Sequence, residues 1–499
     1  MLRGCWSIRR RVFLSGLPAD RCAGEEGGDV IFSPQTALFD EALKVSIGEP
    51  TAISRDISCK RNGVNTWVAT KPALPCRWAR WRIKSVKVYV GRRILTRLLM
   101  PAEAAETAFP LLAARALRAF GDGYVAVLLP AYLLALGFDQ LDVGFLTTAT
   151  LAGSALAILG VGTIGYRWTA RRLLLSAALL MAVTGLGFAS ISSFWPLFVV
   201  AFVGTLNPGS SDISVFLPLE HAHLAQAARG NARITLFARY SLIGSLSAAV
   251  GASAAVIPSW LVSGWPGLSL IDGLRGMFVL YGLLGGAVWL LYRALPAIEV
   301  QTSPLPHPLG ASRRIVFKLA TLFSIDAFAG GLLGNSLLTL WLFERFGLSL
   351  AQAGTFFFCA GLLSAGSQLA APVVARRIGL LNTMVFTHLP ANVCLVFAAI
   401  APNLEGALAL LFVRSALSQM DVPTRAAYVM AVVTSAERTA AASFTTVSRS
   451  LASIASPTLS GALLASGLLS TPWIACGALK IAYDLALLIS FRRLDVPLD

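Results

Sequence analysis

The chain has 499 residues, of which 56% are hydrophobic and 13% are Asp, Glu, Lys or Arg. A soluble domain has about 25% charged residues, so this composition excludes one aqueous globular fold for most of the chain and is typical of a protein embedded in lipid. The net charge is +16. We do not expect nucleic-acid binding, because the basic residues of the apolar part fall in short loops, as in membrane proteins with a defined orientation.

Residues 1–99 differ in composition from the remainder of the chain. They hold 18 Lys or Arg against 8 Asp or Glu, and they show no sustained apolar run long enough to cross a membrane. The first 19 residues are basic and free of acids, which permits a transit peptide. The alternatives are a disordered extension and an upstream stretch that is not normally translated. We expect residues 1–99 to be dispensable for, or absent from, the mature chain.

From Leu111 onward the chain is a series of apolar stretches joined by short loops. A helix needs about 20 residues to cross the hydrocarbon layer of a membrane. Twelve stretches approach or exceed this length, and they lie near 117–137, 142–164, 172–190, 195–217, 233–256, 274–294, 316–341, 349–374, 380–400, 404–432, 440–466 and 472–490. The sequence therefore predicts an all-α membrane protein with twelve transmembrane helices.

The second six stretches resemble the first six. The segment VGFLTTATLAGSALAILG after Asp142 aligns with AGTFFFCAGLLSAGSQLA after Gln352, and each copy leads into an arginine pair. Polar residues also recur at corresponding places, as Asp122 and Asp326, Asp212 and Asp421, Arg239 and Arg449. We predict two pseudo-symmetric six-helix bundles, 110–295 and 316–492, with a cytoplasmic linker at 296–315 and a binding site between the bundles.

Basic residues are unevenly distributed among the loops. The even-numbered connections and the C-terminal tail contain most of the arginines of this region, whereas the odd-numbered connections contain Arg275 and Arg345. Because basic loops stay on the cytoplasmic side, the even-numbered loops and both ends of the bundle are predicted to face the cytoplasm.

Four segments resemble the major facilitator superfamily when they are taken together with the twelve-helix pattern. They are FGDGYVAVLLPAYLLALG, TLNPGSSDISVFLPLE, RIGLLNTMVFTHLP and SQMDVPTRAAYVMAVV. The resemblance covers about 110–492 and is similar to a prokaryotic-type branch whose members are mostly described only as transporters. It implies two helical bundles, transport activity and an inner (plasma) membrane location, and it leaves the substrate open.

The loop between the second and third stretches resembles the family's gating signature of Gly, Asp-Arg and Gly-Arg-Arg. It reads GTIGYRWTARR, and the matching residues are Gly162, Arg167, Arg171 and Arg172. Tyr166 stands where the family has an acid. In the second copy, VVARRIG, the arginine pair is Arg376 and Arg377, and Arg376 occupies a position where an acid is common. In the family this acid belongs to a charge network that holds the inward-closed state, so its loss in both halves predicts altered gating or a copy that has drifted.

Charged residues inside the apolar stretches are candidates for function, because a charge at the bilayer centre costs about 2.5 to more than 10 kcal/mol unless it faces a cavity or a partner. They are Asp122, Asp212, Asp326, Asp421, Asp484, Arg239, Arg414, Arg425 and Arg449. The alternative is that opposite charges pair across helices and hold them in register.

Two of these acids adjoin helix breakers at matching places in the two halves. Asp212 follows Asn207-Pro208-Gly209, and Asp421 precedes Pro423. Interrupted segments at corresponding places point to a transport site. The alternative is a kinked helix in which the Asp side chain caps the broken turn.

The predicted site for substrate binding and proton coupling combines the three recurring pairs of polar residues. Its members are Asp122, Asp212, Asp326, Asp421, Arg239 and Arg449. The resemblance implies that helices 1, 4, 7 and 10, which hold the four acids, line the cavity. Burial raises the pKa of a carboxyl group, as proton coupling requires. Arg239 and Arg449 are predicted as charge partners of Asp212 and Asp421.

Two groups of residues have a structural and a functional interpretation. His388 is predicted to be a hydrogen-bonded packing residue, with proton relay as the alternative. Glu220, His221 and His223 are predicted to lie in a solvated loop, because no third spaced ligand supports a metal site. No nucleotide-binding loop is present either, so we expect no metal, no cofactor and no ATP-driven transport by this chain alone.

These observations predict a secondary active transporter that moves a small molecule by alternating access. We expect protons as the coupling ion, export slightly over uptake, a monomer in the lipid bilayer, and no enzymatic activity, since no nucleophile–base pair stands out. The alternative is a membrane sensor or scaffold with a transporter-like fold, which the two altered gating signatures suggest.

Overall fold

The computed structural model describes residues 108–164, 167–209, 214–228, 230–296, 310, 312–434 and 437–492. The predictions for residues 1–99, Tyr166 and Asp212 lie outside these ranges. All described residues belong to one compact unit within Ala79–Asp499. In the part of the chain that is described, the regular structure consists of helices without β-strands.

The described part of the first half contains eight α-helices. They are α1 (Ala108–Ala135), α2 (Gln140–Ile164), α3 (Ala170–Ser190), α4 (Phe194–Val203), α5 (Phe216–Ala227), α6 (Gly230–Ser253), α7 (Ile257–Gly264) and α8 (Leu270–Arg293). A 3₁₀ turn at Ala254–Val256 joins α6 to α7.

Among its described residues, the second half contains nine α-helices. They are α9 (Arg313–Leu332), α10 (Asn335–Phe346), α11 (Leu350–Ile378), α12 (Leu380–Ile400), α13 (Leu404–Ser418), α14 (Asp421–Val432), α15 (Arg438–Ser453), α16 (Ser456–Ala465) and α17 (Thr471–Phe491). The second half therefore repeats the order of the first with more interruptions.

Within the described residues, nine helical stretches are long and apolar enough to cross a membrane. The other three predicted stretches, 195–217, 404–432 and 440–466, each correspond to two shorter helices. The multi-pass helical architecture is confirmed, and the count of twelve crossings stays a prediction. Large apolar side chains point away from the protein, with Trp195 72% and Ile489 70% exposed, as expected for surfaces in contact with lipid.

The boundaries differ from the prediction at two interruptions. The fourth stretch was expected to end at 217, but α5 continues to Ala227 because the break between α4 and α5 lies in the middle of the span. The seventh stretch was expected to be continuous over 316–341, but it breaks between Leu332 and Asn335. Such breaks are tolerated in membrane proteins where other groups bind the freed backbone atoms.

The two halves pack against each other through small residues. A methyl group on Gly461 of α16 would lie 2.7 Å from the carbonyl oxygen of Gln140 and 3.0 Å from the Cα atom of Gly144, both in α2. Likewise, a methyl group on Gly354 of α11 would lie 2.7 Å from the carbonyl oxygen of Ala252 in α6. Glycine allows these helices to approach closely, which is the usual basis of helix association in membranes.

Hydrogen bonds between the halves extend from the 1–2 loop toward the middle of the molecule. Thr148 of α2 and Thr458 of α16 are joined by a 2.7 Å bond between their hydroxyl groups, and Gln140 donates to Glu344 over 3.1 Å. The Ser336 hydroxyl donates to the carbonyl oxygens of Ala126 at 3.0 Å and Pro208 at 3.1 Å. By the predicted orientation the contact between Gln140 and Glu344 is at the outer end of the protein.

Candidate transport cavity

A cavity of about 530 Å³ lies between the two halves. On α2 it extends from Thr147 to Leu159, toward the helix end that leads into the predicted cytoplasmic 2–3 loop. The first half lines it with apolar residues and with Thr147, Ser214 and His221. The second half supplies its charged residues and a second histidine, which are Asp326, His388, Arg414, Asp421, Arg425, Arg449 and Lys480.

Asp326 on α9 is the centre of the polar cluster in the second half. Its Oδ2 accepts a hydrogen bond from Arg425 over 2.9 Å, and its Oδ1 accepts one from Lys480. Arg449 and the Nε2 atom of His388 each lie 3.9 Å from the carboxylate. Four helices therefore direct basic side chains at one buried carboxylate, which satisfies its charge by pairing.

Asp421 is at the start of α14, where the tenth predicted stretch is interrupted. The N-cap residue is Met420, whose side chain forms no capping bond. The Asp421 carboxylate instead accepts a hydrogen bond from Arg425, one helical turn further on. Since Arg425 also binds Asp326, it links the two predicted acids of the second half. The alternative interpretation of Asp421 as a helix cap is wrong.

His388 forms a second buried pair at the cavity wall, with Asp484. Its Nδ1 atom lies 2.9 Å from Oδ1 of Asp484, and Asn392 donates to the other oxygen of Asp484 over 3.1 Å. His388 also lines the cavity, so its ring lies between Asp484 and Asp326. The predicted packing role is therefore accompanied by a position from which a proton could move between the two carboxylates.

The first half has a separate polar cluster around Glu220 of α5. Arg118 forms an ion pair with the Glu220 carboxylate, which also accepts hydrogen bonds from the Tyr240 and Tyr292 hydroxyl groups. Glu220 is 0% exposed and Arg118 is 2% exposed. The predicted solvated loop is wrong here, because the fourth span continues through α5 and carries Glu220 and His223 into the protein interior.

Asp122 and Arg239 are not among the described residues that line the cavity. Asp122 on α1 accepts a hydrogen bond from the Tyr281 hydroxyl over 3.3 Å, and Arg239 on α6 is half-buried. Arg449 does line the cavity, although it approaches Asp326 rather than its predicted partner Asp421. The residues predicted to correspond in the two halves therefore differ, because Arg449 lines the described cavity and Arg239 does not.

The residues of the predicted gating loops lie at the ends of α2, α3 and α11. Arg171 donates to the carbonyl oxygen of Arg293 over 2.7 Å, which ties the start of α3 to the end of α8 within the first half. The other four arginines are exposed, namely Arg167, Arg172, Arg376 and Arg377. Gly162 belongs to the last turn of α2. The altered signature thus retains a structural contact for Arg171.

A further contact orders the junction between the linker and the second half. Glu437 precedes α15, and its carboxylate accepts hydrogen bonds from the backbone N–H of Ser312 over 3.2 Å and from the Thr434 hydroxyl over 2.9 Å. Hydrogen bonds from the Ser312 hydroxyl and the Gly310 N–H, with these others, lower the pKa of Glu437 to about 2. A carboxylate that accepts several hydrogen bonds is stabilised in its charged form.

Three important charged residues were missed or misplaced by the sequence prediction. Lys480 on α17 was not singled out, although it stands four residues before Asp484 in an apolar helix. Arg118 and Glu220 were not recognised as a pair, because 102 residues separate them. The cost of intramembrane charge was the available signal for Lys480 and Arg118. Among the described residues, no group of three potential ligands could hold a metal ion.

The described residues form two helical halves with a charged cavity between them, which defines this chain as a multi-pass membrane protein of the transporter class. The family model of the Major Facilitator Superfamily matches residues 111–457, which is more than half of the chain. The chain belongs to this family.

Individual relatives agree with this assignment. A membrane protein of Saccharomyces cerevisiae, described as uncharacterized membrane protein YJR124C, is 23% identical over 418 residues, covering 77% of this chain and 93% of the relative. The nucleoside transporter NupG has a TM-score of 0.59 at 15% identity, covering 78% of this chain and 99% of that structure. The xylose transporter XylE from E. coli has a TM-score of 0.61 at 15% identity, covering 78% and 97%. These structural similarities show the fold alone.

Proposed function

We propose that this protein is a secondary active transporter that moves a small solute by alternating access, coupled to protons. The observation that supports this most directly is the Asp326 cluster, where an ion-paired carboxylate lines a cavity between two halves. The halves are in contact at the predicted outer end, and the cavity follows α2 toward the predicted cytoplasmic end. Rocking of the halves about this cavity would expose it to the other side of the membrane.

The coupling site that we propose is the group formed by Asp326, Asp421 and Arg425. Protonation of either acid would weaken its pair with Arg425 and release that guanidinium for other contacts. Asp326 is faced by Lys480, His388 and Arg449 as well, so its protonation state depends on basic groups from four helices. This arrangement differs from the sequence prediction, because Asp122 is not among the described cavity residues and Asp212 lies outside the described ranges.

Proton-driven flux in reconstituted vesicles tests this function. A solute panel is screened with and without an imposed proton gradient, and any accumulated solute is then measured for Asp326→Asn and Asp421→Asn. We expect accumulation to collapse in at least one variant while downhill exchange survives, since exchange needs no net proton movement. Glu405→Gln is the matched control, because Glu405 is exposed in the first turn of α13. Wild-type coupling in both aspartate variants would move the proton site to Asp122 or Asp212.

The same assay distinguishes the alternative function. Zero flux for every solute, by a protein that inserts and folds normally, would favour a membrane sensor or scaffold. We further propose export rather than uptake, a monomeric state and an inner (plasma) membrane location. Flux measured separately in inside-out and right-side-out vesicles tests the direction.

A further inference from the structure

The described cavity wall carries an excess of positive charge. Its basic residues are Arg414, Arg425, Arg449 and Lys480, and its acidic residues are Asp326 and Asp421. Arg425 and Lys480 are bound to these two carboxylates through short ion pairs. The two remaining arginines, Arg414 and Arg449, are therefore available to interact with an additional anion.

Arg449 is only weakly engaged by the protein. Its side chain is 38% exposed, and its contact with Asp326 is 3.9 Å long. This distance exceeds that of a hydrogen bond, which has a donor–acceptor distance of about 2.7–3.2 Å. The Nε atom of Arg449 has no hydrogen-bond partner among the described residues. The guanidinium thus faces the cavity with unused donors.

Arg414 also lines the cavity. It belongs to α13, in an apolar helix, and no ion pair of Arg414 is present among the described residues. Its Nε atom also lacks a hydrogen-bond partner within that part of the chain. An unpaired guanidinium inside a membrane protein is energetically costly, and an anionic ligand would offset that cost.

The opposite wall suits the remainder of such a ligand. The first half lines the cavity with Leu151, Ala155 and Ile158, and with the hydroxyl-bearing residues Thr147 and Ser214. The cavity volume of about 530 Å³ falls within the range of sites for small molecules, which is about 300–1,000 Å³. A solute with one charged end and an apolar or hydroxylated body would therefore match both walls.

We infer that the substrate is a small organic anion whose carboxylate or phosphate group binds between Arg414 and Arg449. A guanidinium presents a planar fork of donors that matches these groups better than a point charge does. This inference rests on the proposed transport function, and it adds a substrate class to it. It also assigns a binding role to Arg414, which none of the pairs described above requires.

Ligand-induced thermal stabilisation of the purified protein tests the inference independently of flux. The probes are two pairs of nearly equal shape, benzoate with benzamide and succinate with succinamide, and a third pair, glucose 6-phosphate with glucose, that differs by the phosphate group. We expect at least one anion to raise the melting temperature while its neutral partner does not. The carboxylate and phosphate pairs identify which group the two arginines prefer. Equal stabilisation by both members of every pair, or none by any anion, would overturn the inference.

Variants locate the effect at the two arginines. Arg414→Gln and Arg449→Gln should each weaken the apparent affinity about tenfold or more, since hydrogen bonds to charged groups contribute that much. Arg414→Lys and Arg449→Lys should retain part of the binding, because they keep the charge and lose the fork. Arg314→Gln is the charge-matched control, because Arg314 is exposed at the start of α9, about 18 Å along the helix from Asp326.

The outcomes for the variants are distinguishable from failure of transport. Unchanged anion affinity in both glutamine variants would contradict the site. If Arg414→Gln does not fold, Arg449→Gln carries the test, because its side chain is already partly exposed. If a neutral solute is transported and no anion binds, the transport proposal stands and the anionic substrate is contradicted. If anions bind and no solute is transported, the anion site stands and the transport proposal is contradicted.

Discussion

The two halves of the molecule treat a buried carboxylate in different ways. In the first half, Glu220 is enclosed with Arg118 and two tyrosine hydroxyl groups, and the described cavity does not reach it. In the second half, Asp326 is surrounded by basic residues and lines the cavity. The repeat therefore preserved the helical framework while the chemistry of the described cavity became concentrated in the second half. In the proposed mechanism, the Glu220 cluster stabilises its bundle and the Asp326 cluster responds to a ligand or a proton.

Removing the basic partner of Glu220 is expected to have the largest effect on stability. Arg118→Gln leaves a fully enclosed carboxylate without its ion pair, and breaking a buried pair in this way costs about 3–5 kcal/mol. Thermal unfolding of the purified protein measures the loss. Transport per folded molecule should stay near the wild-type value, because neither residue lines the described cavity. A stable variant that has lost transport would break the proposed division between the two clusters.

Removing a basic partner of Asp326 is expected to reduce transport more than it reduces stability. Lys480→Gln leaves Arg425 bound to the carboxylate, so the loss of stability should be smaller than for Arg118→Gln. Transport should fall about tenfold or more, since a hydrogen bond to a charged group contributes about 1.5–3 kcal/mol. The measurement is initial flux at several pH values. A Lys480→Gln protein with wild-type flux and pH profile would show that the second cluster is structural as well.

The sequence predicts the helices of both halves better than it predicts the partners of their buried charges. The apolar stretches specified nearly all helices, because length and composition decide whether a segment can cross a membrane. Asp326 and Asp421 were found because intramembrane charge is costly. Their shared partner Arg425 could be suspected but not assigned, since Asp326 and Arg425 are 99 residues apart and meet only through packing. Glu220 was misplaced because the fourth stretch was predicted to end at 217, whereas α5 continues to Ala227.

The contact between the halves at the predicted outer end depends on close packing rather than on charge. Gly461→Ala would put a methyl group 2.7 Å from the Gln140 carbonyl oxygen and press α16 away from α2. Such overpacking costs about 1–3 kcal/mol, here only in the state in which the outer ends meet. We expect a labelled single cysteine in the 1–2 loop to become more accessible from outside. Gly366→Ala is the control, because a methyl group there meets no atom within 4 Å. Equal accessibility in both variants would contradict closure through this contact.

The smallest expected effect concerns the contact between the linker and α15. Hydrogen bonds from the Ser312 hydroxyl and the Gly310 N–H hold the pKa of Glu437 at about 2, below its ordinary value of 4.5. A lowered folded-state pKa contributes stability that is fully present above the unfolded-state value and is lost as the pH falls through the folded-state value. Glu437→Gln should therefore lower the melting temperature slightly above pH 4.5, and the difference from wild type should shrink as the pH falls toward 2. The exposed Glu405→Gln serves as the control in the same titration. If the melting-temperature difference between wild type and Glu437→Gln instead grows on acidification, the charged Glu437 carboxylate does not stabilise this junction.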